Sequence, residues 1–294
     1  MTGVSGVSGG GGAVVGAVVA AVAAPEPPAG VPGRLRWSAV DGGVAALRLL
    51  AKLRHDPAGL VLTVAAPVAM VLIFGYVFGS AIVVPGGGDY REYLVPGLLV
   101  SMAFNVIPAM VQMARDSDRG VVDRFRSMPV ARAAVPFGQA AATAAYVVVS
   151  FVFRGLCGLA VGWRVHRGLA PALAALGLLV VFQFAMTWVG MFLGLLIGRE
   201  ETAAQLSVLV LPVAMISNVF VPTAGMPAWL RMVADVNPVS AVSAAVRELC
   251  GNPTAPSNGV WTLEHPVAGS LLWAGVLLAV FVPLTTARYA SRRR

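Results

Sequence analysis

The stretch LAPALAALGLLVVFQFAMTWVGMFLGLLIG, residues 169–198, decides the fold class. It holds no ionisable side chain, and as one helix at 1.5 Å per residue it would reach roughly 45 Å. About 20 apolar residues already cross the hydrocarbon core of a bilayer, so a helix this long must tilt or break. The rest of the chain has the same character. Of 294 residues, 58% are hydrophobic and 12% charged, against roughly 45–50% and about 25% in soluble domains. A soluble enzyme needs more surface charge than this, and a disordered protein would be polar. The chain reads as an all-α membrane protein.

Five further stretches are long and apolar enough to span, near residues 60–80, 94–114, 136–162, 202–222 and 267–287. With 169–198 they make six predicted transmembrane helices. The basic residues between them set the orientation. With the N-terminus inside, 15 of the 21 fall on the inner side, including Arg34, Arg115, Arg199 and Arg288. Arg91, Arg164, Arg167, Arg231 and Arg247 fall outside, and Arg154 lies within a span. This asymmetry predicts both termini in the cytoplasm of a bacterial cell, with the chain in its plasma membrane. The basic turn Trp163–Arg167 is the exception that this topology puts outside. The net charge of +8 is thus membrane-orienting charge, and no nucleic-acid partner is expected.

Residues 1–33, of Gly, Ala, Val and Pro, read as a disordered cytoplasmic tail, and residues 34–294 as the membrane domain. Ala46, Leu49, Leu50 and Leu53 recur at helical spacing, with Arg48, Lys52 and His55 on the opposite face. Such a helix lies along the inner membrane surface, its basic side towards lipid headgroups. Asp56-Pro57 ends it.

Much chemistry is missing. No predicted span contains Asp or Glu, the groups by which membrane carriers couple to an ion gradient. Arg154 stays charged and cannot relay protons; snorkelling to the interface is its simplest role. His55, His166 and His265 are scattered, without metal or hydrolase spacing, and Cys157 and Cys250 form no disulfide framework. A phosphate-binding P-loop needs Gly-Lys-Ser/Thr, whereas the single lysine, Lys52, stands between Ala51 and Leu53. No bound cofactor is expected, and any ATPase must be another polypeptide.

Two constellations remain. Between the second and third spans, Val121, Phe125 and Met128 share one helical face, while Arg119, Asp123 and Arg126 share the opposite one. An amphipathic helix of this kind suits a groove on a partner protein, and a membrane-surface helix fits the pattern equally. After the fifth span, Asn237 precedes Pro238, an N-cap followed by proline at the first helical position. Val239, Val242, Val246 and Leu249 then line one face, and Trp229 suits a membrane boundary. A short re-entrant helix there serves as a packed lid, as an outer gate, or as both. Gly190, Gly194 and Gly198, four apart, form a small-residue ridge for helix packing within the bundle.

The run Asp123-Arg124-Phe125-Arg126-Ser127-Met128-Pro129-Val130-Ala131-Arg132 resembles the cytoplasmic loop of ABC type-2 permeases, in particular exporters of the daunorubicin-resistance type. Ser217-Asn218-Val219-Phe220-Val221-Pro222, then Met226-Pro227-Ala228-Trp229-Leu230, Asn237-Pro238-Val239-Ser240-Ala241, Ala245-Val246-Arg247-Glu248-Leu249 and Gly251-Asn252-Pro253, is similar to their fifth span and outer re-entrant region. The likeness covers about residues 40–290 and thins in the third span.

The resemblance implies a six-span subunit with an N-terminal interfacial helix, a cytoplasmic coupling helix and short outer re-entrant helices before the last span. It also implies a homodimer, or a pair with a related permease, partly through the first and fifth spans. Two separate ATPase subunits would carry the ATP and magnesium. By position, contact with the ATPase falls on Asp123, Arg124, Phe125 and Arg126, with Pro129 ending the helix. Glu200 and Glu201 supply a second inner contact, and Arg48, Lys52 and Leu53 mark the interfacial helix. Asn218, Pro222, Trp229, Asn237, Pro238, Arg247 and Glu248 form the outer region. The expected cargo is a hydrophobic or amphiphilic compound of the antibiotic type, met by aromatics such as Phe74, Phe104, Phe220 and Trp188; those aromatics also suit a lipid-facing surface. A lipid or lipid-linked glycan is the alternative cargo. An ion-coupled carrier is disfavoured by the carboxylate-free spans.

Overall fold

The structure, a computed structural model, describes residues 89–120 and 134–291, together with positions 69, 73 and 87. The first predicted span with Phe74, the helix bearing Arg48, Lys52 and Leu53, and the loop residues Asp123, Arg124, Phe125, Arg126 and Pro129 lie outside the described residues. Within them the chain is helical and has no strand. Three helical runs are long and apolar enough to cross a membrane: Tyr90–Asp118, Leu169–Ile197 and Pro266–Tyr289.

The first of these runs is two helices, α1 (Tyr90–Ala103) and α2 (Ile107–Asp118). The sequence pattern predicts one helix over 94–114, and Pro108 explains the difference. Proline lacks the N–H that would continue the ladder and its ring crowds the carbonyl four residues back, so it sits in the first turn of a new helix. Asn105 bridges the interruption, its Oδ1 accepting from the Ile107 N–H at 3.1 Å. Asp89 caps α1 by accepting from the Arg91 N–H at 2.9 Å.

Helix α3 (Ala134–Ala160) leads through a turn to α4 (Leu169–Ile197), and the last long helix, α10, is Pro266–Ser291. α4 is the hub of the bundle, packed by α1, α2, α3 and α10. Its apolarity all round follows from this position, with Phe182, Trp188, Met191 and Leu195 sealed in the core. Two glycines set its closest approach. A Cβ on Gly190 would stand 2.6 Å from the Val106 carbonyl oxygen, and one on Gly194 would stand 2.8 Å from the Met113 Cβ. The ridge of small residues therefore packs internally, against α2. Its third member has a different use. Gly198 takes φ +71° and ends α4, its N–H reaching the Gly194 carbonyl at 2.9 Å.

The stretch 202–222 departs most from a simple helix. It forms α5 (Glu200–Leu206), a 3₁₀ turn (Ser207–Leu209) and α6 (Val210–Met215), then loses regular structure over 216–222. Pro212 accounts for the 3₁₀ turn, because its ring displaces the carbonyl of Val208. Helix and turn from 200 to 215 rise only about 24 Å, short of the roughly 30 Å hydrocarbon core. The chain continues through α7 (Ala228–Val236), α8 (Pro238–Cys250) and the short α9 (Trp261–Glu264). Tyr90 and α8 stand at one end of the bundle, the lid end.

Gly190→Val should lower stability by about 3 kcal/mol through overpacking against the α2 backbone. Gly177→Ala, in open space on the same helix, should be neutral or slightly stabilising. Thermal unfolding midpoints of the two variants in detergent check both.

Candidate functional site

The irregular segment 216–222 poses a problem of hydrogen bonding. Backbone groups that leave a helix inside apolar surroundings must find partners within the protein. Here side chains of α1 and α8 provide them. Tyr93 Oη donates to the Asn218 carbonyl and Tyr90 Oη to the Phe220 carbonyl, each at 2.6 Å. Arg247, on the last turn of α8, is completely buried. Its Nη2 donates to the Val219 carbonyl at 2.8 Å, its Nη1 to the Asn218 carbonyl at 3.2 Å, and its Nε to the Tyr93 carbonyl at 2.9 Å. The guanidinium carbon lies 3.6 Å from the centre of the Tyr93 ring. Carbonyl dipoles and an aromatic face thus take up its charge, and among the described residues no carboxylate pairs with it.

Sequence spacing on α8 makes this possible. Val239, Val242 and Val246 bury one face, and Ser240, Ser243 and Arg247 form a polar stripe beside it. The stripe turns to Asn218, whose N–H donates to Ser240 Oγ at 3.0 Å and whose Oδ1 accepts from Ser243 Oγ. Gly97 lets the segment come close to α1, since a Cβ there would stand 2.6 Å from the Val219 carbonyl oxygen. Asn237 joins two elements. Its Oδ1 accepts from the Val239 N–H at 2.9 Å, the expected N-cap, and its Nδ2 donates to the Ile216 carbonyl at 2.7 Å, just past α6. Pro222 is buried before the 3₁₀ turn Thr223–Gly225, and Glu248 is half-buried on α8.

Helix α7 is strapped down on one side only. Buried Asp235 accepts from Thr223 Oγ1 at 2.6 Å and from Asn258 Nδ2 at 2.9 Å. Arg231 Nη2 donates to the carbonyls of Ala224 and Met226. On the other side Trp229 and Met232 are each 70% exposed, beside Val233 and Val236. The basic turn docks at this same end. Trp163 Nε1 donates to Asn252 Oδ1 at 2.9 Å, the His166 N–H to the Cys250 carbonyl at 2.8 Å, and His166 Nε2 lies 2.9 Å from Glu92 Oε1. Burial pushes the Cys250 thiol up to about 11, which leaves it inert as a nucleophile at neutral pH.

At the opposite end, Glu200 accepts from Arg115 Nε at 2.7 Å and lies 3.5 Å from Arg119 Nη2. The Arg115 hydrogen bond holds the Glu200 carboxyl below its ordinary value. Glu200 is therefore tied to the end of α2, while Glu201 is exposed. Of the other residues picked from sequence, Phe220 is buried in the core beside the irregular segment. Trp188 is fully buried, its ring edge-on to Phe184 at 6.3 Å. Phe104 is half-buried at the interruption of α1 and α2, and Arg154 lies 5.9 Å from the Phe151 ring centre.

Comparison with known proteins now decides the family. The family model described as ABC-2 type transporter matches residues 44–249. The chain belongs to the ABC-2 type transporter family. The permease is 31% identical over 247 residues, 83% of its length and 84% of the relative, to the daunorubicin resistance ABC transporter permease protein DrrB1 of Streptomyces coeruleorubidus. It is 23% identical to the putative transport permease ycf38 of Porphyra purpurea, covering 81% of this chain and 80% of that one. Against the ycf38 of Cyanophora paradoxa the identity is 25%, over 69% and 71% of the two chains. This ABC-2 permease is a transport subunit and not an enzyme.

Sequence reading missed Tyr90, Tyr93 and Asp235 as anchors of the lid. The polar stripe on α8 was the available signal, together with two tyrosines three apart at the head of a span. Arg247→Met should cost about 3 kcal/mol, because it leaves the buried Val219 carbonyl without its donor and removes a charge-assisted network. Tyr93→Phe should cost about 1 kcal/mol, since Arg247 still serves the Asn218 carbonyl. Unfolding midpoints in detergent, with protease sensitivity of residues 216–227, check the order.

Proposed function

We propose that this permease is the six-span membrane subunit of a drug exporter. It would move a hydrophobic or amphiphilic compound of the antibiotic type out of a bacterial cell. The likeness to a daunorubicin resistance permease along 83% of the chain carries this reading. The energy comes from a separate ATP-binding-cassette ATPase, which holds the ATP and magnesium. Two copies of the permease, or one copy and a related permease, make the pore.

The placement of charge supports the orientation. Both termini and the 121–133 loop face the cytoplasm, where basic residues concentrate. The lid end, with Arg247, Tyr90 and Tyr93, then faces outside and carries the basic turn Trp163–Arg167 with it. In the cytoplasm Asp123, Arg124, Phe125 and Arg126 dock on the ATPase, and Pro129 closes the helix. Glu200 acts from behind, fixing the base of that loop through Arg115 and Arg119; Glu201 is the residue of the inner turn left open to the partner. The N-terminal helix with Arg48, Lys52 and Leu53 lies at the inner surface beside them.

Cells expressing the permease with its ATPase should expel a fluorescent anthracycline, and an ATPase inactivated at its catalytic glutamate should abolish export. Export that persists with the inactive ATPase overturns the energising mechanism. Phe125→Ala with Arg126→Glu should leave membrane levels of the permease normal while ATPase co-purification falls at least tenfold.

A further inference from the structure

The turn Trp163–Arg167, between α3 and α4, carries two arginines at the lid end, and the function proposed above gives them no task. Its backbone is held firmly. Asn252 accepts from the Trp163 indole N–H at 2.9 Å and donates to the Arg164 carbonyl at 3.0 Å. The His166 N–H reaches the Cys250 carbonyl at 2.8 Å. Gly251, at φ +74°, lies so close that a Cβ would stand 3.2 Å from the Arg167 Cγ. The arginines therefore leave from a base pinned to the end of α8.

Both are exposed, and among the described residues no carboxylate pairs with either. The acids of this end are engaged elsewhere, Glu92 with His166 at 2.9 Å and Asp89 at 3.7 Å from the Arg91 Nε. Arg164 Nη1 donates to the Leu159 carbonyl at 2.8 Å, which holds the guanidinium over the end of α3. Its other nitrogens and the whole Arg167 fork are left for an acceptor from outside the chain. The surface beyond the turn has the opposite character. Val148, Val152 and Leu156 form an exposed stripe on α3, and Leu169, Leu173 and Val181 form one on α4. Exposure rises along each stripe towards the turn, to 59% at Leu156 and 75% at Leu169. In a membrane subunit such apolar stripes meet acyl chains.

Chains lying on these stripes bring their phosphates to the level of the turn. Arginine takes phosphate through paired N–H donors. A zwitterionic lipid carries its own ammonium to a place that already holds two cations, whereas a lipid of net negative charge does not. We infer that the α3–α4 turn is a binding site for an anionic phospholipid, with the phosphate on Arg164 and Arg167 and the acyl chains along α3 and α4. Its place in the outer leaflet rests on the orientation proposed above; the contact itself rests neither on that nor on the exported compound. Because the turn is pinned to α8, a bound lipid ties the lid end to the bilayer.

The test uses the full chain in nanodiscs of mixed phosphatidylglycerol and phosphatidylcholine. Either lipid in turn carries a diazirine near the headgroup end of one acyl chain, and labelled peptides are mapped by mass spectrometry. Phosphatidylglycerol should label residues 156–173 more than phosphatidylcholine by about fivefold or more. Arg164→Gln with Arg167→Gln should bring the two labels at this turn within about twofold, while labelling around Arg288 stays as in the wild type. Arg167→Gln alone leaves the Arg164 contact with α3 intact and should remove about half of the preference. Equal labelling by the two lipids in the wild type, or a preference that both variants keep, overturns the site. So does loss of the phosphatidylglycerol label in inorganic phosphate but not in sodium chloride of equal ionic strength, which marks a site for free anions. None of these outcomes bears on drug export, which the efflux assay decides separately.

Discussion

Seven residues without regular structure, 216–222, stand among apolar helices, and their carbonyls must be satisfied by protein because hydrocarbon offers nothing. Arg247 is the main answer to that requirement. A guanidinium carries five donors in a planar fork, and here the fork spreads over carbonyls of α1 and of the broken fifth stretch. The arginine is worth burying because the acceptors already exist and diverge. They exist because the helix ends at Met215. Break and cation thus require one another, and the tyrosines complete what the arginine does not reach.

The rest of the bundle holds this arrangement in place. α1 must lie close to the irregular segment, which Gly97 permits, and α2 must stay aligned with α1 across an interruption. That alignment comes from α4, whose Gly190 and Gly194 draw α2 into backbone contact. A seam this close leaves little freedom for α2 to slide, so the interruption at Phe104–Val106 behaves as a fixed bend. α8 is fixed from the other side by its valine face and by Asn237. The exposed apolar side of α7 is what remains when these requirements have been met.

Much of this was legible in the sequence. The helices α3, α4 and α10 lie close to the predicted stretches 136–162, 169–198 and 267–287, with α10 running four residues further, because such helices need only a run of apolar side chains and a terminus. The Asn237-Pro238 pair foretold the start of α8, since a cap and an N1 proline are local chemistry. What failed to show was decided by contacts between distant segments. The stretch 202–222 is apolar throughout, so its hydropathy has no mark at Met215 where helix stops. The end of α6 depends on donors from α1 and α8, far away in sequence. Arg247 looked like a basic residue of an outer loop, because charge alone says nothing of burial. Glu200 looked like an open contact residue, and its pairing with Arg115 depends on α2 ending beside α5.

The choice of arginine also constrains how the lid can work. An arginine keeps its charge at any physiological pH, and its acceptors are carbonyls that do not titrate. A lid held by a histidine or a carboxylate pair would loosen with a proton; this one has no such handle at its centre. His166 and Glu92 meet at the same end, but at the rim, where the histidine side chain is half exposed. Release of the segment therefore calls for moving helices, in concert, until the carbonyls no longer converge on the guanidinium. α2, which the glycine seam lets move only together with α4, and the α5–α6 segment lead towards the other end. At the far end of the bundle these are joined by Arg115 and Glu200. In the export reading proposed above, such a lid answers to work delivered from the ATPase side, since the cation at its centre does not give up a proton.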